Sequence, residues 1–390
     1  MKKYKVNWHH FIECFILIPF LNPRGFYEVF PIYKAFMTGW MYLSLLLILF
    51  EVCMRYRGFL VHIKKNAEVA VFAYFIAMLL ITVIVQGGLH EGLQNMIATP
   101  LLCLYGIVCM RKESEIFLQN VSVILLVIFI LNLTVFNPYM MQYKIASYHV
   151  IFLGHVQVAG QFGMLGVLCG CLLYMTNKGR LAIWLIMTSA LTMLTSGTAS
   201  TILVLALMIL LAVLYQLKIY EIFCKGIGTY VVLFALLSAG LVMINSALPD
   251  KIINVLNSRH QIWNVAMEEV KKAPLIGYGV QGVTLKMYWG SSLNYAHSQF
   301  AQNLLDGGIL LCVIFYIMVF CVALSIRKVQ RRSVRVLGTL ALISYLCISM
   351  FESVSFYPYF GLTLIFLLYL PEFSENSDRN AVATCREEFL

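Results

Sequence analysis

Long apolar stretches alternate with short polar connectors along almost the whole chain. The stretches have the length that crosses a bilayer. A spanning helix needs ~20 apolar residues, fewer where it is short or sheltered by its neighbours. On that measure about twelve spans are predicted. They lie near residues 10–21, 35–54, 69–87, 97–110, 115–135, 151–175, 181–195, 199–217, 227–247, 299–325, 334–352 and 358–370. The first ends at "PFLNPRGF", where Pro23 cannot continue a helix. The expected fold class is all-α: one polytopic membrane domain over residues 1–390, closed by a polar tail at 372–390.

Composition strengthens this picture. The chain is 61% hydrophobic, against ~45–50% for soluble domains. Charged residues make up 12% and mean hydropathy is +0.84. The net charge of +10 is read first as topology, through the excess of Lys and Arg on cytoplasmic loops. No nucleic-acid partner is expected. With the N-terminus inside, the short outer connectors carry only Arg24, Lys34 and Lys144. One long outer loop holds Lys251, Arg259, Lys271, Lys272 and Lys286, and the rest of the 28 basic residues fall inside. Both termini are then cytoplasmic, in a cytoplasmic membrane. The basic N-terminal run precedes an apolar stretch without a small-residue cleavage site, so it is read as an uncleaved span. None of the eleven cysteines lies in an outer segment, so external disulfides are not expected.

The long outer connector, residues 248–298, lies between the ninth and tenth spans. Loops of this length usually carry function or their own structure. "NSRHQIWNVAMEEVKKAP" predicts a helix with Ser258 as N-cap. Ile262, Ala266 and Val270 form its apolar stripe, Trp263 and Met267 adjoin it, and Pro274 stops it. "LIGYGVQG" has the G-x-G-x-x-G spacing of a dinucleotide turn, in Gly277, Gly279 and Gly282. Such a site needs a strand before the glycines; here a helix precedes them and the loop faces away from the cytosol. The glycines therefore predict a tight turn with positive φ angles. His297 stands at the mouth of the tenth span. By position alone it is read either as a helix-end anchor or as a residue that takes a proton near neutral pH.

The run "SRHQIW…APLIGYGVQG…AHSQFAQNLLDGGIL" resembles the O-antigen ligase and O-antigen polymerase (Wzy-type) family. The resemblance rests on Arg259, Trp263, Pro274, Gly277, Gly279, His297, Asp306 and Gly307 in that order. "GHVQVAGQFG" (154–163), with Gln157, and "LTSGTASTILVL" (194–205) are similar but weaker. The sequence departs from the family at two places. Thr198 stands about where ligases carry an arginine, and Ser298 replaces an asparagine.

The resemblance implies transfer of a glycan from an undecaprenyl-pyrophosphate carrier to a sugar hydroxyl, on the outer face of the membrane. The product would be O-antigen- or capsule-type polysaccharide. Arg259 would bind the diphosphate bidentately and His297 would take the hydroxyl proton. A carboxylate would stabilise an oxocarbenium-like transition state; Glu352 is the first candidate, with Asp306 and Glu91 behind it. Trp263, Gly277, Gly279, Ser298, Thr198 and Gln157 complete the candidate substrate-binding set. No cofactor and no metal are expected: Glu268 and Glu269 are adjacent on a helix, so they do not converge. Membrane lipid, a flippase and a chain-length regulator are the other expected partners. Polymerase is the first reading, and ligation of the glycan to a lipid or protein the second. A lipid-linked oligosaccharide flippase comes from another class, and would show polar breaks at mid-membrane and a repeat.

Overall fold

A computed structural model describes residues 8–27, 29–55, 66–87, 93–137, 143–145, 148–176, 179–216, 224–244, 256, 259–355 and 357–374. The chain is an all-α polytopic membrane protein. Its helices are α1 (Trp8–Leu17), α2 (Pro31–Arg55), α3 (Asn66–Gln86), α4 (Leu93–Leu133), α5 (Val158–Met175), α6 (Gly179–Thr195), α7 (Ala199–Gln216), α8 (Ile227–Met243), α9 (Arg259–Lys272), α10 (Gln299–Arg327), α11 (Arg332–Phe351) and α12 (Pro358–Leu368). Among the described residues, six helices are long and apolar enough to cross a membrane. Apolar stretches in α6, α7, α8 and α12 are shorter. Large apolar side chains such as Ile32, Ile84 and Leu236 stay exposed, as a lipid-facing surface requires.

Two predicted boundaries shift. The spans expected at 97–110 and 115–135 are the two parts of α4, divided by a kink at Glu113, whose backbone is non-helical (φ −142°, ψ 54°). Arg111 and Lys112, read as a loop, therefore belong to helix. Arg111 pairs with the buried Glu68 of α3, whose other oxygen accepts from the Tyr369 hydroxyl at 2.5 Å. The span expected from residue 151 starts at Val158. The residues before it form an antiparallel sheet of β1 (Tyr143–Ile145), β2 (Tyr148–Ile151) and β3 (Gly154–His155), in which Val150 pairs with Tyr143 on one side and His155 on the other. A hairpin of β4 (Leu285–Lys286) and β5 (Ser292–Leu293) lies in the long loop.

The long loop is part of the bundle. α9 buries Ile262, Trp263, Ala266 and Val270, the stripe its sequence predicts. They pack in a second core with Leu285, Met287, Phe300 and Leu304. The proposed N-cap, Ser258, lies outside the described residues.

The glycine turn docks into a break in α10. Gly307 (φ −151°, ψ 18°) and Gly308 (φ 62°, ψ −161°) interrupt that helix. The backbone groups released there are taken by the loop. Tyr278 and Gly279 N–H donate to the carbonyls of Leu305 (2.7 Å) and Asp306 (2.9 Å), and Ile309 N–H donates to Pro274 O (2.9 Å). An unpaired backbone group in hydrocarbon costs several kcal/mol, so such a break persists only where protein fills it. Contact this close needs glycine. A Cβ on Gly277 would lie 2.4 Å from Leu305 O, and one on Gly308 would lie 2.2 Å from Leu275 O.

Candidate functional site

At the end of the bundle that carries the long loop, a cavity of about 280 Å³ is lined by segments from distant parts of the chain. Asn294, Tyr295 and His297 come from the stretch before α10, and Glu352 and Ser353 from the end of α11. His155, Gln157 and Gln161 come from β3 and the start of α5, Arg24 from the turn after α1, and Gln281 from the loop beyond the glycine turn. The volume lies near the lower end of the ~300–1,000 Å³ usual for small-molecule sites.

The centre of the site is a triad built on the Arg259–Glu352 ion pair, with His297 hydrogen-bonded to the same carboxylate. Glu352 Oε1 accepts from Arg259 Nη2 at 2.7 Å, and Oε2 lies 3.3 Å from His297 Nδ1. Arg259 Nε also donates to Phe351 O at 3.1 Å. Burial pushes the Glu352 carboxyl up, but its contacts with His297 and Arg259 outweigh this and hold it below its ordinary value. Glu352 is thus an anion at neutral pH, with one oxygen for each partner. Arg259 is not among the residues lining the cavity; it meets the site through Glu352.

The backbone around these groups is fixed from within α10. Gln302 Oε1 accepts from Ala296 N–H (2.8 Å) and from the Ser353 hydroxyl (3.2 Å). Gln299 Oε1 accepts from the N–H groups of Val354 (2.6 Å) and Ser355 (2.9 Å). Both glutamines are buried. They hold the residue before His297 and those after Glu352 in one frame. Trp263 Nε1 donates to Ala296 O at 3.0 Å and so clamps the same peptide from the α9 side.

His297 has φ +47° and Gln281 φ +55°. Both line the cavity. Side-chain-bearing residues in this region are uncommon, and such strain tends to cluster at working sites. The Tyr295 ring packs edge-on against His297, with centroids 4.5 Å apart. Opposite, His155 Nδ1 lies 3.3 Å from Gln157 N–H, which donates to it. Burial lowers the His155 pKa from its ordinary value, and His297 and Arg259 add to this while Glu352 opposes it. The neutral ring then carries its proton on Nε2.

The predicted site residues divide accordingly. His297, Glu352 and Gln157 reach the cavity, and Arg259 touches it through Glu352. Trp263 is a clamp. Gly277 and Gly279 form the joint with α10. Ser298 is buried as the residue preceding α10. Thr198 precedes α7, and its hydroxyl meets Thr201 Oγ1 at 2.6 Å, away from the cavity lining. Asp306 is buried and accepts from Gln302 Nε2 at 2.9 Å. Glu91 lies outside the described residues. Sequence reading missed Arg24, His155, Gln161, Gln281 and Tyr357, all on the cavity wall.

A second, almost wholly apolar groove of about 540 Å³ lies between α8 and α10, lined by Leu236, Ala239, Leu304, Val313 and Phe320 among others. Among the described residues no group of three His, Cys, Asp or Glu side chains converges as a metal site would require.

Residues 182–316 match the family model described as O-antigen ligase. The match bears out the resemblance read from the sequence, and takes in Thr198, Arg259, Trp263, Gly277, Gly279, His297 and Ser298. Arg24, His155, Gln157 and Glu352 lie outside it, so the cavity is completed by parts of the chain beyond the matched region. Comparison with curated proteins finds no match.

Proposed function

We propose that this membrane protein, with its O-antigen ligase match over residues 182–316, is a polymerase that joins lipid-linked oligosaccharide units on the outer face of the cytoplasmic membrane. The observation that carries the reading is the Arg259–Glu352–His297 triad at the wall of a loop-end cavity. Glu352 takes the Nδ1 proton side of His297, which leaves Nε2 as the base. The acceptor hydroxyl oxygen attacks the donor's anomeric carbon, and its proton passes to Nε2. The bond from that carbon to the pyrophosphate oxygen breaks, and the carrier diphosphate leaves with the electron pair. Attack from the opposite face gives inversion. The first role for Glu352 is thereby orientation of the base, since both its oxygens are engaged. The apolar groove between α8 and α10 suits the carrier's polyprenyl tail. The reaction needs no metal in this scheme, and transfer should survive a chelator.

The test is transfer by purified protein in nanodiscs, supplied with the lipid-linked repeat unit of its own gene cluster. A ladder of products that disappears in His297→Ala supports polymerase. Glycan moved only to an added lipid or protein acceptor makes the protein a ligase. Wild type and His297→Ala equally able to move the lipid across a bilayer, with no transfer, would overturn the enzyme reading in favour of a flippase. The break in α10 does not favour the flippase, because its freed backbone groups are bonded to the loop rather than left to coordinate a solute.

A further inference from the structure

We infer that Arg24 is the side chain of this cavity that binds the phosphoryl oxygens of its ligand. The ligand class is a phosphate or diphosphate ester; on the glycan-transfer reading above, on which this assignment rests, it is the carrier diphosphate of the donor.

Three observations carry it. First, the cation nearest the base is already balanced. Arg259 gives Nη2 to Glu352 and Nε to Phe351 O, and it is not on the cavity lining. Arg24 is on the lining, and no carboxylate pairs with it among the described residues. A half-buried guanidinium without a counter-ion draws an anion, and its planar fork fits phosphate oxygens.

Second, Arg24 is held in place. Its N–H donates to Leu153 O at 3.2 Å, and Gly25 N–H donates to Phe152 O at 3.0 Å. Gly25 has no room for a side chain: a Cβ would lie 2.0 Å from Ile151 O. The Tyr33 hydroxyl donates to Pro23 O at 2.8 Å, and Phe26 packs edge-on against Phe136 and Phe152. The turn is therefore pinned to the β2–β3 segment, which also brings His155 and Gln157 to the cavity. A basic residue that merely met the lipid surface would need none of this.

Third, the guanidinium lies 5.9 Å from the centroid of the Tyr357 ring. An aromatic face holds a cation without cancelling its charge, so Arg24 is positioned yet remains open to an anion.

The test uses full-length protein in phosphatidylcholine nanodiscs. Binding is measured for undecaprenyl pyrophosphate, undecaprenyl phosphate and inorganic pyrophosphate, and repeated with phosphatidylglycerol in the disc. Arg24→Ala is expected to weaken undecaprenyl pyrophosphate binding roughly tenfold or more, the loss of one or two charge-assisted hydrogen bonds. Arg24→Lys should restore part of it, and Lys271→Ala, which removes an exposed cation away from the cavity lining, should bind like wild type. If Arg24→Ala does not fold, Arg24→Gln takes its place. Wild-type affinity for the diphosphate in the neutral variants overturns the assignment while leaving the transfer reading intact. So does an Arg24 effect seen only in phosphatidylglycerol discs, which would make bulk headgroups its partner. Arg24-dependent binding of inorganic pyrophosphate, with no binding of the lipid diphosphate by wild type, supports the anion site and sinks the transfer reading instead.

Discussion

Glu352 stands between Arg259 and His297 and gives one carboxylate oxygen to each, at 2.7 Å and 3.3 Å. The three residues come from α9, the mouth of α10 and the end of α11, so the triad fastens the long loop to the bundle and, on the proposed reading, orients a base. Glu352→Gln keeps the shape but loses the charge. Transfer should fall by about 10²–10⁴-fold, the usual scale for losing an aligned acid–base group. The thermal midpoint should also drop, because Arg259 is left without its anion. Turnover equal to wild type would remove Glu352 from the reaction.

Arg259→Lys tests the fork. A lysine ammonium cannot reproduce the planar pair of contacts to Phe351 O and Glu352, so the variant should lose about 1–3 kcal/mol of stability. Its turnover should fall more than its affinity for donor, since Arg259 holds Glu352 and is not on the cavity lining. A change confined to KM would instead give Arg259 direct contact with the ligand.

The pH dependence of stability follows from Glu352. Its folded pKa is depressed. The stabilisation it supplies is therefore fully present above the unfolded glutamate value of about 4.3 and is lost as pH falls through the lower folded value. The gap in thermal midpoint between wild type and Glu352→Gln should stay constant from neutral pH down to about 4.3, shrink below that, and be gone once pH has passed through the lower folded value. A gap independent of pH down to full protonation would contradict an ionised Glu352.

Gln302→Leu removes the acceptor shared by Ala296 N–H and the Ser353 hydroxyl. Leaving a buried donor unpaired costs about 1–3 kcal/mol. The expected kinetic sign is a lower kcat with little change in KM, because Gln302 touches the frame and not the ligand.

Gly308→Ala places a side chain at φ +62° and 2.2 Å from Leu275 O. Backbone strain alone costs about 1–3 kcal/mol, and the clash adds to it. The variant should unfold at markedly lower temperature, whereas Gly290→Ala, with open space around its Cβ position but φ +83°, should show only the strain. Equal midpoints for the two would mean that the loop is not seated in the break.

The helical class and most spans were legible because hydrocarbon length and the apolar run are the same physical quantity. Arg259 and His297 could be picked out because they flank a helix and a glycine turn within one loop. The two parts of α4 were legible, but not that helix continues through the basic connector between them: Arg111 and Lys112 look like a loop, and the partners of Arg111, Glu68 and Tyr369, come from elsewhere. Gly277 and Gly279 were legible as a turn but not as a joint, since main-chain contacts with α10 leave no side-chain pattern. Arg24 and His155 were missed for a similar reason. Each is a single polar residue in a short connector, and only the folding of that connector onto the loop end makes it part of a site.

The joint between the glycine turn and α10 consists of peptide groups, which gives it a mechanical meaning. His297 is mounted on scaffold, its height and tilt set by the same helix that crosses the membrane. On the polymerase reading proposed above, a growing glycan that pulls on the loop pulls on the whole of α10 and cannot drag His297 out of register.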